Sequence, residues 1–253
     1  MSRPGSISGR LRCVFALLVL VTAFGLSGCA SMHKPQSIAP LAHSPEIAEQ
    51  VDPLQPLNRQ MLRLNIFVDD LLLRPAAKAY DKLVPELFQR TIENMLGNLR
   101  DPWIAANGLL QGKPEQAISD LGRFVVNSTL GFFGAADLAS EIGLPKHNED
   151  FGQTLATWGV PAGPYLMLPG LGPSTLRDAL AFGADYNSSI KNYIESERVR
   201  LGMSGLDVLQ SRARALPAQP FLEQAIDRYL LIRDSYLQRR RSQIYDGDPP
   251  ETP

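Results

Sequence analysis

The sequence predicts an all-α fold, and three observations carry that prediction. Apolar residues recur at 3.6-residue spacing through most of the chain. No segment alternates apolar and polar residues with period two, and proline or glycine punctuates the helical stretches. Composition fits a globular domain: of 253 residues, 44 % are hydrophobic and 20 % charged, close to the usual averages. Twenty-five basic side chains face 26 acidic ones, for a net charge of −1, so the chain as a whole has no electrostatic attraction to nucleic acid. Two cysteines and three histidines leave little material for thiol or metal chemistry.

The first element is an address. Arg3, Arg10 and Arg12 precede an uncharged run from Cys13 to Leu26, which is short against the roughly 20 apolar residues of a bilayer span. It has the length of a signal-peptide apolar region. The run ends in Leu26-Ser27-Gly28-Cys29, which resembles the lipobox of bacterial lipoproteins. That resemblance implies a signal peptide over residues 1–28 and an S-diacylglycerol plus an N-acyl chain on Cys29. Two or more acyl chains anchor a protein stably, where one does so only marginally. Removing residues 1–28 takes away three arginines and no acid, moving the net charge from −1 to −4. Cys13 leaves with the signal and Cys29 is blocked by lipid, which excludes a cysteine nucleophile. Ala30, in place of an aspartate, resembles the outer-membrane sorting signal. Residues 29–51, with Pro35, Pro40 and Pro45 and no periodicity, read as a tether.

From Leu57 to Leu72 the apolar residues 57, 61, 64, 68, 71 and 72 make one helical stripe. Asn58, Arg63, Asn65 and Asp69 stand among the polar positions, and Arg74-Pro75 is expected to end the helix. Pro85 opens a second helix carrying Phe88, Ile92, Met95 and Leu99, broken by Asp101-Pro102. Trp103 to Leu110 is short, and Lys113-Pro114 restarts the chain into another helix. Thr175-x-x-Asp178 has the form of a capping box and opens a helix to about Tyr186. Residues 189–201 and 204–215 read as two helices, and Phe221 to Tyr245 as one long one. Residues 246–253 read as a disordered tail.

Two stretches depart from the amphipathic pattern. Phe124 to Ala136 carries no charge, and Phe151 to Leu176 contains no Asp, Glu, Lys, Arg or His. Within the latter, Gly159 to Pro173 is built of Gly, Pro and apolar residues alone, which excludes a helix. It is either an irregular loop beneath the core or a hairpin pressed into the interfacial zone of a bilayer.

Catalytic signatures are missing. His33 and His43 fall in the tether, and His147 lies in a polar run, Pro145 to Asp150, expected to be a solvated loop. There is no Gly-x-Ser-x-Gly, P-loop or Gly-x-Gly-x-x-Gly. Asp69 and Asp70 are adjacent, about 100° apart on a helix, and unsuited to share a proton. Arg239-Arg240-Arg241 complements the dipole of the last helix or meets anionic lipid or a partner.

A set of ordered motifs carries a family resemblance. It begins with Asp52-Pro53-Leu54, Leu57-Asn58-Arg59 and Leu64-Asn65, followed by Arg74-Pro75-Ala76, Ala79-Tyr80 and Val84-Pro85. Asn94, Asn98-Leu99, Pro102, Leu110-Gln111-Gly112, Arg123-Phe124 and Asn127 to Gly131 continue it. Glu149 to Leu155, Trp158-Gly159-Val160, Gly163-Pro164-Tyr165, Leu168-Pro169 and Gly172 with Thr175 to Asp178 complete it. Together they resemble the MlaA (VacJ) family from about Asp52 to Gln243. Leu57 and Ile66 depart from the family's aromatic residues, and the match is loose from Ser188 to Leu206. The resemblance implies an all-helical, ring-like lipoprotein lying in the outer membrane, associated with trimeric porins and without a cofactor beyond its lipid. It implies removal of phospholipids misplaced in the outer leaflet and their transfer to a soluble periplasmic carrier, for delivery to an inner-membrane ABC transporter. On that reading Asn58, Arg63, Asn65 and Asp69 face a channel. Gly159, Gly163, Pro164, Tyr165 and Pro169 belong to a hairpin that gates it. The competing classes are a lipid-anchored envelope hydrolase and a structural scaffold lipoprotein.

Overall fold

The computed structural model describes residues 52–250; the expected signal peptide, Cys29 and the tether lie outside the described residues. Helices dominate. α1 (Gln55–Val68) continues through a π-helical turn, Asp69–Leu73, into α2 (Arg74–Leu83). The expected stop at Arg74-Pro75 is thus corrected. The wider turn lets the Arg74 N–H reach Asp69 O, and Pro75 falls in the first turn of α2, where its missing N–H costs little. Pro85 precedes α3 (Glu86–Asn98). α4 (Asp101–Leu110) and α5 (Pro114–Thr129) each carry proline in the first turn and pack against one another. α6 (Leu138–Glu141) and α7 (Phe151–Thr157) are each capped by an aspartate, Asp137 and Asp150, that accepts a backbone N–H.

The all-α expectation holds, with one short two-stranded hairpin in the uncharged Gly/Pro-rich segment. β1 (Tyr165–Leu168) and β2 (Gly172–Thr175) form an antiparallel hairpin, with Tyr165 opposite Thr175 and Leu168 opposite Gly172. β1 does alternate between buried and half-buried positions, but four consecutive apolar residues hide that period in the sequence. α8 (Leu176–Ser188) starts beneath a Thr175 cap, as the Thr-x-x-Asp pattern predicts. After a 3-10 turn at Ile190–Tyr193, α9 (Glu197–Arg214) is one helix instead of the expected pair. Gly202 sits exposed in its interior, where glycine costs about 1 kcal/mol without breaking the helix. Another 3-10 turn (Leu216–Ala218) and α10 (Gln219–Gln224) precede α11 (Arg228–Ile244). The expected single helix from Phe221 is interrupted because Asp227 is extended and accepts the Tyr229 and Leu230 N–H groups.

Burial is inverted relative to a water-soluble domain. Asn58, Asn98, Asp101, Asn107, Asp120 and Arg123 are buried, while Leu57, Phe67, Leu71, Leu87, Phe88 and Val125 are exposed. α5 displays the inversion along one helix. Its Ala117, Asp120, Arg123 and Asn127 turn inward, and Ile118, Leu121 and Val125 turn outward. The buried apolar clusters are small: Leu62, Tyr165, Met167 and Tyr229 form one, and Ala77, Tyr80 and Ala213 the other. Among the described residues no helix is long and apolar enough to cross a membrane.

The uncharged run Phe124–Ala136 divides between the end of α5 and a tight turn. Phe132 and Phe133 there adopt φ values of +52° and +59° with 80 % of each residue exposed, a left-handed conformation rare outside glycine. Gly134 N–H donating to Asn127 O at 2.7 Å and Ala136 N–H donating to Gly131 O at 3.0 Å hold the turn.

Candidate functional site

The hairpin is fastened to α1 by two asparagines. Asn58 Nδ2 donates to Tyr165 O at 2.9 Å, and Met167 N–H donates to Asn58 Oδ1 at 2.9 Å. Asn65 repeats the device one heptad later: Nδ2 donates to Leu168 O at 2.9 Å and Gly170 N–H donates to Oδ1 at 2.8 Å. Seven helical residues rise about 10.5 Å, and three strand residues advance about 10 Å, so the two spacings match. α1 thereby serves β1 as a surrogate edge strand. Behind it, the Tyr165 ring meets Tyr229 and Tyr236 edge-on at 6.0 and 6.1 Å between centroids. Arg59 lies over Tyr229 at 4.6 Å and pairs with Asp227 at 2.6 Å.

Arg240 ties the hairpin's flanks together. Its guanidinium donates to Asp150 at 2.6 and 2.7 Å and to Asp178 at 2.9 and 3.0 Å. Tyr236 also donates to Asp178, at 2.7 Å. One side chain of α11 therefore holds the cap of α7 and the first turn of α8. Burial alone would raise the Asp178 pKa, but the Arg240 bonds outweigh it and hold the carboxyl below the usual carboxylate range. Gly152 leaves room for this pair, since a Cβ there would push the Arg240 and Asp178 side chains aside. The expectation that the triplet Arg239 to Arg241 meets anionic lipid or a partner does not hold for Arg240, which is buried; Arg239 is exposed, and Arg241 donates to Pro250 O.

A second, polar centre lies between α3 and α9. A cavity of about 430 Å³ is lined by Glu93, Arg100, Asp137, Lys146, Asp207 and Arg214 with neighbouring amides. Ion pairs Glu93–Arg214 and Arg100–Asp207 cross it, and Lys191 also reaches Asp207, at 3.2 Å. Lys146 Nζ stands 3.2 Å from the fully buried Asp101. Asp137 is gripped by Arg123 at 2.8 and 2.9 Å and by Asn127 at 3.0 Å. Burial opposes its ionisation, yet the bonds from Ser140, Asn127 and Arg123 pull its pKa down to about 2. Its folded value lies below its ordinary 3.8, so its stabilisation is complete above that value and is lost as the pH falls towards 2. Acid unfolding followed by circular dichroism should show part of its loss in that window, and Asp137→Asn should remove that part.

The residues expected to face a channel are distributed otherwise. Asn58 is 1 % exposed and Asn65 spends its amide on the hairpin, so neither presents a free polar group to a solute. Asp69 pairs with Arg212 at 2.6 Å and lies 3.5 Å from Arg74. Arg63 is exposed and lines a separate cavity of about 300 Å³ beside Arg59 and Asp227. Of the hairpin set, Gly159 closes α7 in an exposed turn and Pro169 is at the exposed tip. Pro164 O accepts the Leu176 N–H at 3.0 Å, and Tyr165 is buried. Gly163, at φ +69°, lets the chain pass within reach of Leu176. The run from Pro145 is a loop, as expected, but within it His147 is half-buried, its Nδ1 3.0 Å from Asp120. Asp246, expected in the tail, pairs with Lys113 at 2.6 Å.

Sequence reasoning missed the cavity residues. The inward run Asp120, Arg123, Asn127 was legible as polar residues occupying the inner stripe of a helix whose outer stripe is apolar. Glu93, Arg100, Asp207 and Arg214 left no such signal.

Apolar side chains turned outward around buried charge and a polar cavity define a class: an amphipathic helical protein built to meet an apolar environment. The comparisons narrow the class to a family. Residues 50–243 match the family described as MlaA lipoprotein. The chain is 34 % identical over 209 residues to the intermembrane phospholipid transport system lipoprotein MlaA of Escherichia coli (strain K12), covering 80 % of this chain and 82 % of that protein. To the protein of the same name from Haemophilus influenzae it is 29 % identical over 237 residues, covering 91 % and 90 %. A solved structure from work on the structural basis for maintenance of bacterial outer membrane lipid asymmetry superposes with a TM-score of 0.69 at 32 % identity. That match covers 78 % of this chain and 99 % of the solved one. The chain belongs to the MlaA lipoprotein family.

Proposed function

We infer that this protein removes phospholipids misplaced in the outer leaflet of the outer membrane and passes them on for retrograde transport, maintaining lipid asymmetry. The observation that carries the reading is the inverted burial. Moving a phospholipid between leaflets requires a polar path for its headgroup and an apolar boundary for its tails. The exposed leucines and phenylalanines of α1, α3 and α5 supply the boundary, and the charged cavity between α3 and α9 supplies polar lining. Relatives named as lipoproteins of an intermembrane phospholipid transport system support it.

Acyl chains on Cys29 hold the domain at the periplasm-facing leaflet. The exposed apolar faces meet lipid and the wall of a trimeric porin. A soluble periplasmic carrier takes the lipid away, since the chain has no nucleotide-binding motif to drive release. The chain acts as a conduit. On this reading the hairpin β1–β2, fixed to α1 by Asn58 and Asn65, borders the path at a point outside the lining of that cavity.

Deleting the gene and labelling surface phospholipid in intact cells tests the reading. A rise in labelled phospholipid, reversed by the native chain, is the expected result. An unchanged leaflet with altered peptidoglycan would favour a lipid-anchored hydrolase, and no change in either would favour a scaffold; both overturn transport.

A further inference from the structure

The cavity between α3 and α9 balances its charges, and that balance bears on the headgroup it would accept. This step rests on the transport reading above. Two ion pairs, Glu93–Arg214 and Arg100–Asp207, bridge the cavity. Both arginines and Glu93 keep close to half of their side-chain surface exposed. Pairs of that kind contribute little net stability and can be exchanged for other partners. Lys146 is different. Asp101, fully buried and without a hydrogen-bond partner, has Lys146 as its neighbouring cation at 3.2 Å. Drawing Lys146 away would leave a buried carboxylate alone, which is costly. The exchangeable charges are therefore the two guanidiniums and Glu93, together with Asp207, which is only 18 % exposed but keeps Lys191 when Arg100 turns away.

We propose that this cavity is a headgroup subsite selective for zwitterionic phospholipids bearing a primary ammonium beside the phosphate diester. The phosphate accepts hydrogen bonds from Arg100 and Arg214, a geometry suited to the guanidinium fork. The ammonium donates to Glu93 and Asp207. Each protein charge exchanges one partner for another, and none is stranded. An anionic headgroup with a neutral tail, such as phosphoglycerol, takes the same guanidiniums and offers the carboxylates neutral hydroxyl donors in place of a cation. Asp207 keeps Lys191, so Glu93 bears the loss. Leaving one carboxylate without a cation sets the expected discrimination at about tenfold, or about 1.4 kcal/mol. The cavity's volume, about 430 Å³, lies within the roughly 300–1,000 Å³ of ligand pockets.

The test is a calorimetric titration of the full lipidated chain in non-ionic micelles with dihexanoyl phosphatidylethanolamine and, separately, dihexanoyl phosphatidylglycerol. The ethanolamine lipid should bind about tenfold more tightly. Glu93→Gln should shrink that ratio mainly by weakening the ethanolamine lipid, and Arg100→Gln should weaken both lipids together. Equal affinity in the native chain, tighter glycerol-lipid binding, or binding of neither lipid overturns the proposal without reference to any variant. So does a Glu93→Gln chain that loses both lipids equally. A native chain without preference whose deletion still raises surface phospholipid would refute selectivity and leave transport standing. A deletion that leaves the surface unchanged would refute transport itself.

Discussion

Replacing Arg240 with glutamine should lower the thermal unfolding midpoint of the micelle-bound protein by about 10 °C. Breaking a buried ion pair by removing one partner costs roughly 3–5 kcal/mol, and each kcal/mol moves the midpoint of a domain this size by about 2–4 °C. Arg240 makes two short bonds to Asp150 and two to Asp178, and glutamine reaches neither pair as a fork. Arg177 remains 3.1 Å from Asp178, so that carboxylate is not left alone and the loss should fall at the lower end. The cap of α7 should fray first, because Asp150 loses its cation. Arg239→Gln, one residue away on the exposed face, is the control and should shift stability by no more than about 0.5 kcal/mol. Equal shifts in the two variants would show that α11 contributes by charge alone and not by its placement.

The second large effect is expected at Asn58. Leucine there keeps the side-chain volume but leaves Tyr165 O and Met167 N–H without the amide that now satisfies them. Two buried backbone groups at roughly 1–3 kcal/mol each give a loss of roughly 2–6 kcal/mol. Asn65→Leu should cost less, since Gly170 is at the exposed tip and its N–H can bond to water. Chymotrypsin cleavage after Leu171, exposed in the hairpin turn, should accelerate more in Asn58→Leu than in Asn65→Leu. Indistinguishable cleavage rates would mean that the hairpin is held by the Tyr165 cluster and not by α1.

Much of the helical framework was legible because a 3.6-residue period survives whichever way the helix faces. The stripe Leu57, Leu64, Leu71 predicts α1 and the turn that continues it equally well whether it meets a core or a lipid. Which side is inward was not legible from periodicity, since the apolar stripe of a soluble helix normally marks its core side. Here Asn58 is inside and Leu57 outside. The break at Asp227 hides for a related reason: the apolar spacing from Phe221 to Tyr236 runs through it, and only the aspartate's bonds to Tyr229 and Leu230 N–H groups reveal the new start. The seven-residue spacing of Asn58 and Asn65 was visible but had no meaning until β1 lay alongside. The cavity is the hardest case. Glu93 and Arg214 are far apart in sequence, each is an ordinary charge on an amphipathic helix, and tertiary packing alone brings them together.

The inverted burial also has a calorimetric consequence. The heat capacity of unfolding arises mainly from apolar surface that folding withdraws from water. In this domain many large apolar side chains stay outside, where a micelle would cover them, and the buried interior is rich in groups whose exposure lowers heat capacity. Unfolding within a micelle should therefore carry a smaller heat-capacity increment than the ordinary ~12–15 cal/mol/K per residue. The stability curve flattens accordingly, and the domain changes little in strength between a cold and a warm habitat.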